Sequence, residues 1–136
     1  MKGEDIDHIQ MSWGRLLGKE EAVVSRFYDL LFLQNPGYKP MFSQSGETQH
    51  LKFITMLNLI VNGLDHLSLL EDHLINLGKK HRHLNIDLDD YETVSKTVVQ
   101  AVNDVSVEAL SSQEKNAWLA GLMLVSNIMY SAQKYG

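Results

Sequence analysis

The chain has 136 residues, no cysteine and a formal net charge of −5, with 17 acidic and 12 basic residues. This length predicts a single domain over residues 1–136 that can bury a core without disulfides. The lack of cysteine excludes disulfides, thiolate ligands and iron–sulfur clusters, and the acidic balance argues against a nucleic-acid partner.

Apolar residues recur at helical spacing through the first third of the chain. One stripe stops at Gly18, and a second ends at Asn35 and Pro36, where proline cannot continue a helix. The first stripe holds Ile6, Ile9, Trp13, Leu16 and Leu17, and the second holds Val23, Val24, Phe27, Leu30 and Leu31. Residues 36–42 contain both prolines of the chain and predict a short turn or 3₁₀ corner.

The rest of the chain also reads as helix. Residues 43–47 predict a polar loop that caps a helix over 48–64, and a helix over 70–81 and an exit loop over 83–86 follow. Two long stripes finish the chain, one with Tyr91, Val94, Val98, Val102 and Val105, the other with Trp118, Leu122, Val125, Ile128, Met129 and Ala132. No segment alternates at period two, so the fold class is all-α with about seven helices, as in a helical bundle or a globin-type packing.

His81 closes an apolar stripe formed by Leu70, Leu74 and Leu77. Positions four apart are neighbours on a helix, so the Leu77 carbonyl can accept a hydrogen bond from one ring nitrogen of His81. Such a bond fixes the tautomer and leaves the other nitrogen free to ligate a metal. A structural histidine satisfied by backbone is the alternative. We expect the other histidines on the surface: His8, His50, His66, His73 and His83.

Three residues upstream could build the opposite wall of a pocket. Tyr28 lies mid-helix, and Gln49 and Phe53 are four apart and share a helix face. Tyr28 and Gln49 could supply two hydrogen-bond donors to a bound ligand that carries partial negative charge, as bound dioxygen does. The alternatives are a core tyrosine bonded to a carbonyl and a solvated glutamine.

Taken together, the spacing of these residues resembles the bacterial single-domain globins and the globin module of flavohaemoglobins. The segment Leu77-Gly78-Lys79-Lys80-His81 is similar to their proximal-histidine motif, and residues 27–42 are similar to their second helix and following corner. The resemblance rests on Phe27, Tyr28, Phe32, Pro36, Phe42, Gln49, Lys52, Phe53, Gly78, His81, Ile86 and Tyr91. It implies a globin fold, a three-on-three helical sandwich around a haem b that is held without covalent attachment.

The resemblance also assigns roles within the pocket. It implies that His81 is the axial iron ligand and that Phe42 stacks on the porphyrin. It implies that Tyr28 and Gln49 contact the bound gas, as catalytic residues if turnover occurs. Phe53 would set the size of the distal cavity.

Further roles concern the rim and the proximal side. The resemblance implies that Lys52 and Lys80 pair with haem propionates, although solvated lysines remain the alternative, and that Ile86 packs on the haem edge. Tyr91 matches a tyrosine that links the proximal histidine to a glutamate in flavohaemoglobins. Here Gln133 falls at the glutamate position, and a neutral amide cannot strengthen imidazolate character as a carboxylate does. This departure argues against peroxidase-like bond cleavage.

Three functions are consistent with these patterns. The first is a globin that binds dioxygen, nitric oxide and carbon monoxide and converts nitric oxide to nitrate with electrons from a separate reductase. The chain itself has no Gly-x-Gly-x-x-Gly fingerprint for a flavin or nicotinamide site. The second is a dioxygen store, carrier or gas sensor without turnover. The third is a haem-free signalling or scaffold module.

We expect a cytoplasmic protein with no membrane span. No apolar run approaches the roughly 20 residues that a span requires, and the charged residues 1–5 do not resemble a secretory signal. A cysteine-free chain also fits a reducing compartment.

Overall fold

The computed structural model describes residues 1–42 and 46–136, and within these ranges the regular structure is entirely helical. Six α-helices are formed: α1 Gly3–Gly14, α2 Glu20–Gln34, α3 Gly46–Gly63, α4 Leu67–Lys80, α5 Leu88–Val105 and α6 Ser112–Tyr135. Short 3₁₀ segments occupy Pro36–Met41, Leu64–His66 and Arg82–Leu84. The all-α prediction is confirmed, and so is the 3₁₀ corner at the two prolines.

Two helix boundaries are set by hydrogen bonds that the local sequence supplies. At the start of α5, Asp87 accepts from the Asp90 backbone N–H and Asp90 accepts in return from Asp87. At the start of α6, Ser111 and Glu114 form the same reciprocal pair. These capping boxes satisfy backbone donors that a helix N-terminus leaves unpaired, and they begin the two long helices at defined residues.

The first predicted apolar stripe extends beyond the end of the helix that the structure forms. Helix α1 stops at Gly14, and the chain then turns through Gly18, whose φ of 86° lies in the left-handed region. Leu16 remains buried, but Leu17 is 73% exposed, because the turn takes it off the helical stripe. The periodicity was correct for the helix and failed where the helix ended early.

The middle of the chain follows its prediction with small shifts. Helix α3 begins at Gly46, so Gly46 and Glu47 are helical, while the rest of the predicted loop, residues 43–45, lies outside the described residues. Helix α4 begins at Leu67 and ends at Lys80, and His81 follows directly as its C-terminal cap. Asn85 then takes a left-handed φ of 52° that turns the exit loop toward α5.

Two tryptophans tie α1 into the rest of the molecule. The Trp118 indole on α6 donates to the Ser12 hydroxyl at 2.7 Å, and the Trp13 indole donates to Asn58 on α3 at 2.8 Å. The two rings meet edge to face, with centroids 6.0 Å apart. Both indole N–H groups are therefore satisfied inside the core, as buried tryptophans require.

Within the described part of the chain, one stretch is apolar and long enough to count as a candidate membrane span by length and composition. It covers residues Gly46–Leu84, and a third of its most apolar window is buried. The 3₁₀ segment Leu64–His66 interrupts it, and α4 packs closely on α6. Core helices pass the same test, so the stretch is weak evidence for a membrane location.

Candidate functional site

A cavity of about 330 Å³ lies among α3, α4, α5, α6 and the Pro36–Met41 corner. This volume is at the lower end of the range of small-molecule and cofactor sites. The lining includes eight of the residues singled out from the sequence: Phe42, Gln49, Lys52, Phe53, Leu77, His81, Ile86 and Tyr91. Most of the remaining lining is aliphatic or methionine. The structure therefore brings together side chains from four helices and two connecting segments.

His81 enters this cavity with one ring nitrogen engaged. Its Nδ1 lies 2.6 Å from the Leu77 carbonyl oxygen, which can only accept, so Nδ1 carries the proton. In the neutral imidazole, Nε2 is then unprotonated and able to ligate a metal. The bond predicted from the four-residue spacing is confirmed, and the tautomer it selects is that of a metal-binding histidine.

Gly78 fixes where α4 lies relative to α6. It is buried, and a Cβ at this position would collide with the Met129 carbonyl oxygen and lie 3.0 Å from the Ala132 Cβ. Only glycine allows the two helices to approach this closely. Since His81 follows three residues later, this contact sets the position of the imidazole over the cavity.

The residues around His81 suit a metal whose other ligands come from a cofactor. Within residues 1–42 and 46–136, no three His, Asp or Glu side chains come together as a metal site. A metal on His81 would need its remaining ligands from a cofactor, and a porphyrin provides four nitrogens in one plane. The apolar cavity walls suit the porphyrin face, so the residues present fit a haem.

Tyr28 lies behind the opposite wall. Its side chain is 6% exposed and does not line the cavity. Aromatic rings surround it, from Phe27, Phe32, Phe42, His50 and Phe53. Among the described residues its hydroxyl has no hydrogen-bond partner, which costs free energy in a buried position.

Burial also keeps the Tyr28 hydroxyl protonated. Desolvation raises its pKa to about 12, and the nearby Gln49 side chain opposes this rise without forming a hydrogen bond of ordinary geometry. Gln49 itself lines the cavity. The predicted donor pair is therefore adjacent, with Gln49 at the cavity wall and Tyr28 one layer behind it.

The expectation of a surface His50 is wrong. Its ring is half-buried and stacks on Tyr28, with centroids 5.1 Å apart and planes 13° apart. Its Nδ1 lies 2.5 Å from a Glu21 carboxylate oxygen on α2. These contacts hold His50 outside the cavity lining, since the Gln49 and His50 side chains diverge on the helix. His8 is likewise half-buried, while His66, His73 and His83 are exposed as expected.

Tyr91 and Gln133 pair on the proximal side. The buried Tyr91 hydroxyl donates to the Gln133 side-chain oxygen at 2.7 Å, and the Gln133 amide donates to the Ile86 carbonyl at 2.6 Å. Arg82 donates from Nε to the Gln133 carbonyl at 2.9 Å. Gln133 thus ties α6 to α5 and the exit loop. Burial raises the pKa of Tyr91 to about 12, so the Tyr91–Gln133 pair stays neutral at ordinary pH.

The two lysines that were predicted to pair with haem propionates differ in their position relative to the cavity. Lys52 lines the cavity, whereas Lys80 is exposed on α4 and is not among the lining residues. Both are mostly solvated, so an ion pair at either position would contribute under about 1 kcal/mol.

Several lining residues were missed by the sequence reasoning. Tyr38 donates to Asp90 at 2.6 Å across the cavity rim, and Ser95 and Ser126 meet at 3.2 Å deeper inside. A capping pattern, Asp87-x-x-Asp90, marks one of these residues in the sequence. No sequence signal indicates the pairing with Tyr38 or the contact between the two serines, because each joins two segments that are far apart in the sequence.

Comparisons with known proteins agree on one family. The sequence model of the globin family matches residues 25–129, which is more than half of the chain. A flavohemoprotein of Oceanobacillus iheyensis is 26% identical over 117 residues, covering 84% of this chain and 29% of the relative. A neuroglobin of Danio rerio is 25% identical over 126 residues, covering 91% of this chain and 77% of the relative. The chain spans less than a third of the length of the flavohemoproteins it matches.

Solved structures show the same fold. A bacterial globin from Campylobacter jejuni superposes with a TM-score of 0.84 at 17% identity, covering 98% of this chain and 96% of that one. A hexacoordinated heme protein from an anhydrobiotic tardigrade superposes with a TM-score of 0.83, also at 17% identity, and again covers 98% and 96%. The predicted globin fold is confirmed at this level.

Proposed function

Because this chain belongs to the globin family, whose members bind haem and diatomic gases, we propose that it holds one haem b without covalent attachment and binds dioxygen reversibly. The observation that carries this proposal is His81, which lines the cavity with Nδ1 bonded to the Leu77 carbonyl and Nε2 free. Phe42 and Ile86 line the same cavity and would pack against the porphyrin. The chain has no Cys-x-x-Cys-His motif for a covalent link.

The proximal contacts of His81 and Tyr91 are both with neutral groups. The His81 Nδ1 donates to a backbone carbonyl, and the Tyr91 hydroxyl is committed to Gln133. Neither arrangement places a carboxylate against the imidazole. The proximal side therefore supports reversible gas binding better than peroxidase-like bond cleavage.

The distal residues supply protonated donors. Gln49 presents an amide at the cavity wall, and Tyr28 keeps its hydroxyl proton at all ordinary pH values. A donor aimed at a ligand with partial negative charge stabilises that ligand by roughly 1.5–3 kcal/mol. His50 is held by Glu21 and Tyr28 away from the cavity, so we infer that no histidine of α3 competes with the gas.

We further propose that the protein oxidises nitric oxide to nitrate when a separate reductase supplies electrons. Haem, when bound, would supply the dioxygen binding and one electron: nitric oxide gives three of the four electrons that dioxygen takes up, the ferrous iron gives the fourth, and the reductase then returns an electron to the ferric iron. Gln49 and Tyr28 would hold the oxygen ligand in place for the encounter. The flavohemoprotein relatives favour this proposal, and the described chain has no nucleotide fingerprint of its own for a reductase.

Stopped-flow mixing of the oxygenated protein with nitric oxide tests this activity. We expect fast, single-turnover formation of one nitrate per haem, and sustained nitric oxide consumption only when a reductase is added. The rate of sustained consumption should rise with reductase concentration. A slow reaction, or a low yield of nitrate, would contradict the proposal.

Dioxygen storage, transport or sensing without turnover is the second candidate. The neutral Tyr91–Gln133 pair favours it, since this pair lacks the carboxylate of the flavohaemoglobin pattern. The nitrate yield separates the two candidate functions, and neither function depends on where the protein is located.

We propose a cytoplasmic location, on the basis of the cysteine-free composition.

A further inference from the structure

A hydrogen bond crosses the rim of the cavity. The Tyr38 hydroxyl donates to one Asp90 carboxylate oxygen at 2.6 Å, and the other Asp90 oxygen accepts from the Asp87 backbone N–H at 2.9 Å. Tyr38 and Asp90 are half-buried, and both line the cavity. They are 52 residues apart in the chain. The carboxylate is thus fixed by two donors, one of which comes from the other side of the rim.

The bond joins two segments that each contribute to the cavity wall. Tyr38 lies in the Pro36–Met41 segment, directly before Phe42, and that segment packs on α2. Asp90 lies in the first turn of α5, between Ile86 and Tyr91 in the chain. Movement of either segment away from the other would open the rim beside Phe42, Ile86 and Tyr91.

We propose that Tyr38 and Asp90 form a clasp at the cavity rim that slows the release of bound haem. This inference rests on the proposed function, since it requires that the cavity hold a haem. Tyr38 and Asp90 act here as positioning residues, because they hold Phe42 and Ile86 in place against the porphyrin.

The chemistry of Tyr38 and Asp90 suits the proposed clasp. A hydrogen bond to an ionised carboxylate is stronger and shorter than one between neutral groups. The Asp87 capping bond pre-orients the carboxylate, so little freedom is lost when Tyr38 donates to it. The negative charge of Asp90 also disfavours a propionate at this part of the rim. Among the described lining residues, Lys52 is the one lysine or arginine, and it marks the part of the rim that suits the propionates.

The rate of haem loss tests the clasp. The holoprotein is mixed with an excess of apomyoglobin, and transfer of haem is followed by absorbance. The variants are Tyr38→Phe, Asp90→Asn and their combination, and Tyr135→Phe serves as the control because Tyr135 is 81% exposed. Far-UV circular dichroism establishes that each variant keeps its helices, and the dioxygen dissociation rate reports on the distal side.

We expect Tyr38→Phe to speed haem loss by about 3- to 10-fold, less than a fully buried charged hydrogen bond would give. In the Asp90→Asn background the same change should alter the rate by less than about 2-fold, because its partner is already weakened. Any effect of Asp90→Asn on the capping bond is present in both arms of this cycle and cancels. The control variant Tyr135→Phe should leave both the haem-loss rate and the dioxygen dissociation rate unchanged.

Two results would overturn the clasp. One is a haem-loss rate of Tyr38→Phe within about 2-fold of that of Tyr135→Phe, and the other is equal acceleration of haem loss with and without Asp90→Asn.

A haem titration of the wild-type protein comes first. If it shows no uptake of one haem per chain, the proposed function fails together with the clasp. If uptake is normal and the loss rates do not move, the clasp alone fails.

Discussion

The Tyr28 hydroxyl is a buried polar group without a partner inside the described protein. An unsatisfied hydroxyl costs about 1–3 kcal/mol, so its persistence needs a reason. We propose that the reason is functional and that haem binding brings the Tyr28 hydroxyl, which lies beside Gln49 one layer behind the cavity wall, within reach of a bound ligand. Phe42 and Phe53 stand at the cavity wall, with Tyr28 packed behind them.

Replacing Tyr28 by phenylalanine should therefore have two opposite effects. The free energy of unfolding of haem-free protein should rise by about 1 kcal/mol, because a buried unpaired hydroxyl is removed. Dioxygen release should become about 10- to 100-fold faster, because the bound ligand loses a donor. Urea unfolding and stopped-flow dioxygen release measure these changes. A stability gain with a release rate unchanged within about 2-fold would confine Tyr28 to a packing role.

The packing of α4 on α6 depends on Gly78, and so does the position of His81. Gly78→Ala would force the two helices apart at the Met129 carbonyl. We expect a loss of about 1–3 kcal/mol in unfolding free energy, typical of overpacking, and a weaker haem affinity. Denaturant unfolding and haem titration check both.

Gly14→Ala is the matched control for this change. Gly14 is the last residue of α1, and a Cβ there meets nothing within 4 Å. This substitution should leave stability unchanged or slightly raised, because alanine favours the helical state over glycine. Equal losses in the two variants would contradict the assigned contact at Gly78.

Helical elements were predictable because their signals are local. The apolar periodicity placed α2, α4, α5 and α6, and the two prolines placed the 3₁₀ corner. The spacing of Leu77 and His81 even predicted the bond that sets the imidazole tautomer. Two predictions of burial were wrong. Leu17 was expected on the buried stripe but is exposed, because α1 ends before it, and His50 was expected at the surface but is covered by the Tyr28 ring of α2.

The site was predictable only in part, since it depends on long-range contacts. Of the residues to which the resemblance gives a role in the pocket, Tyr28 and Lys80 do not line the cavity. The others do: Phe42, Gln49, Lys52, Phe53, His81, Ile86 and Tyr91. The bond between Tyr38 and Asp90 and the contact between Ser95 and Ser126 join segments far apart in the chain. Such pairings carry no local pattern, so a single sequence does not indicate them.

At the scale of the whole molecule, buried tyrosines make stability depend on alkaline pH. Burial raises the pKa of both Tyr28 and Tyr91 from 10.0 to about 12. Each neutral side chain therefore stabilises the fold fully below pH 10, and this contribution is lost as the pH rises through 12. The loss should be on the order of 2 kcal/mol for each tyrosine.

Urea unfolding between pH 8 and pH 12 measures this effect. Stability should hold to about pH 10 and then fall, and a Tyr28→Phe/Tyr91→Phe double variant should lose less. Tyr135→Phe is the control, since Tyr135 is exposed. A double variant that follows the wild-type pH curve would show that other groups govern the alkaline transition.

We propose that His81 ligates the iron of a bound haem. The most direct test is resonance Raman spectroscopy of the ferrous protein, with His81→Ala compared against His83→Ala, an exposed neighbour two residues away. We predict one haem per chain and an iron–histidine stretching band in the wild-type protein and in His83→Ala, and loss of that band in His81→Ala. An unchanged band in His81→Ala, or its loss in His83→Ala instead, would rule out His81 as the iron ligand.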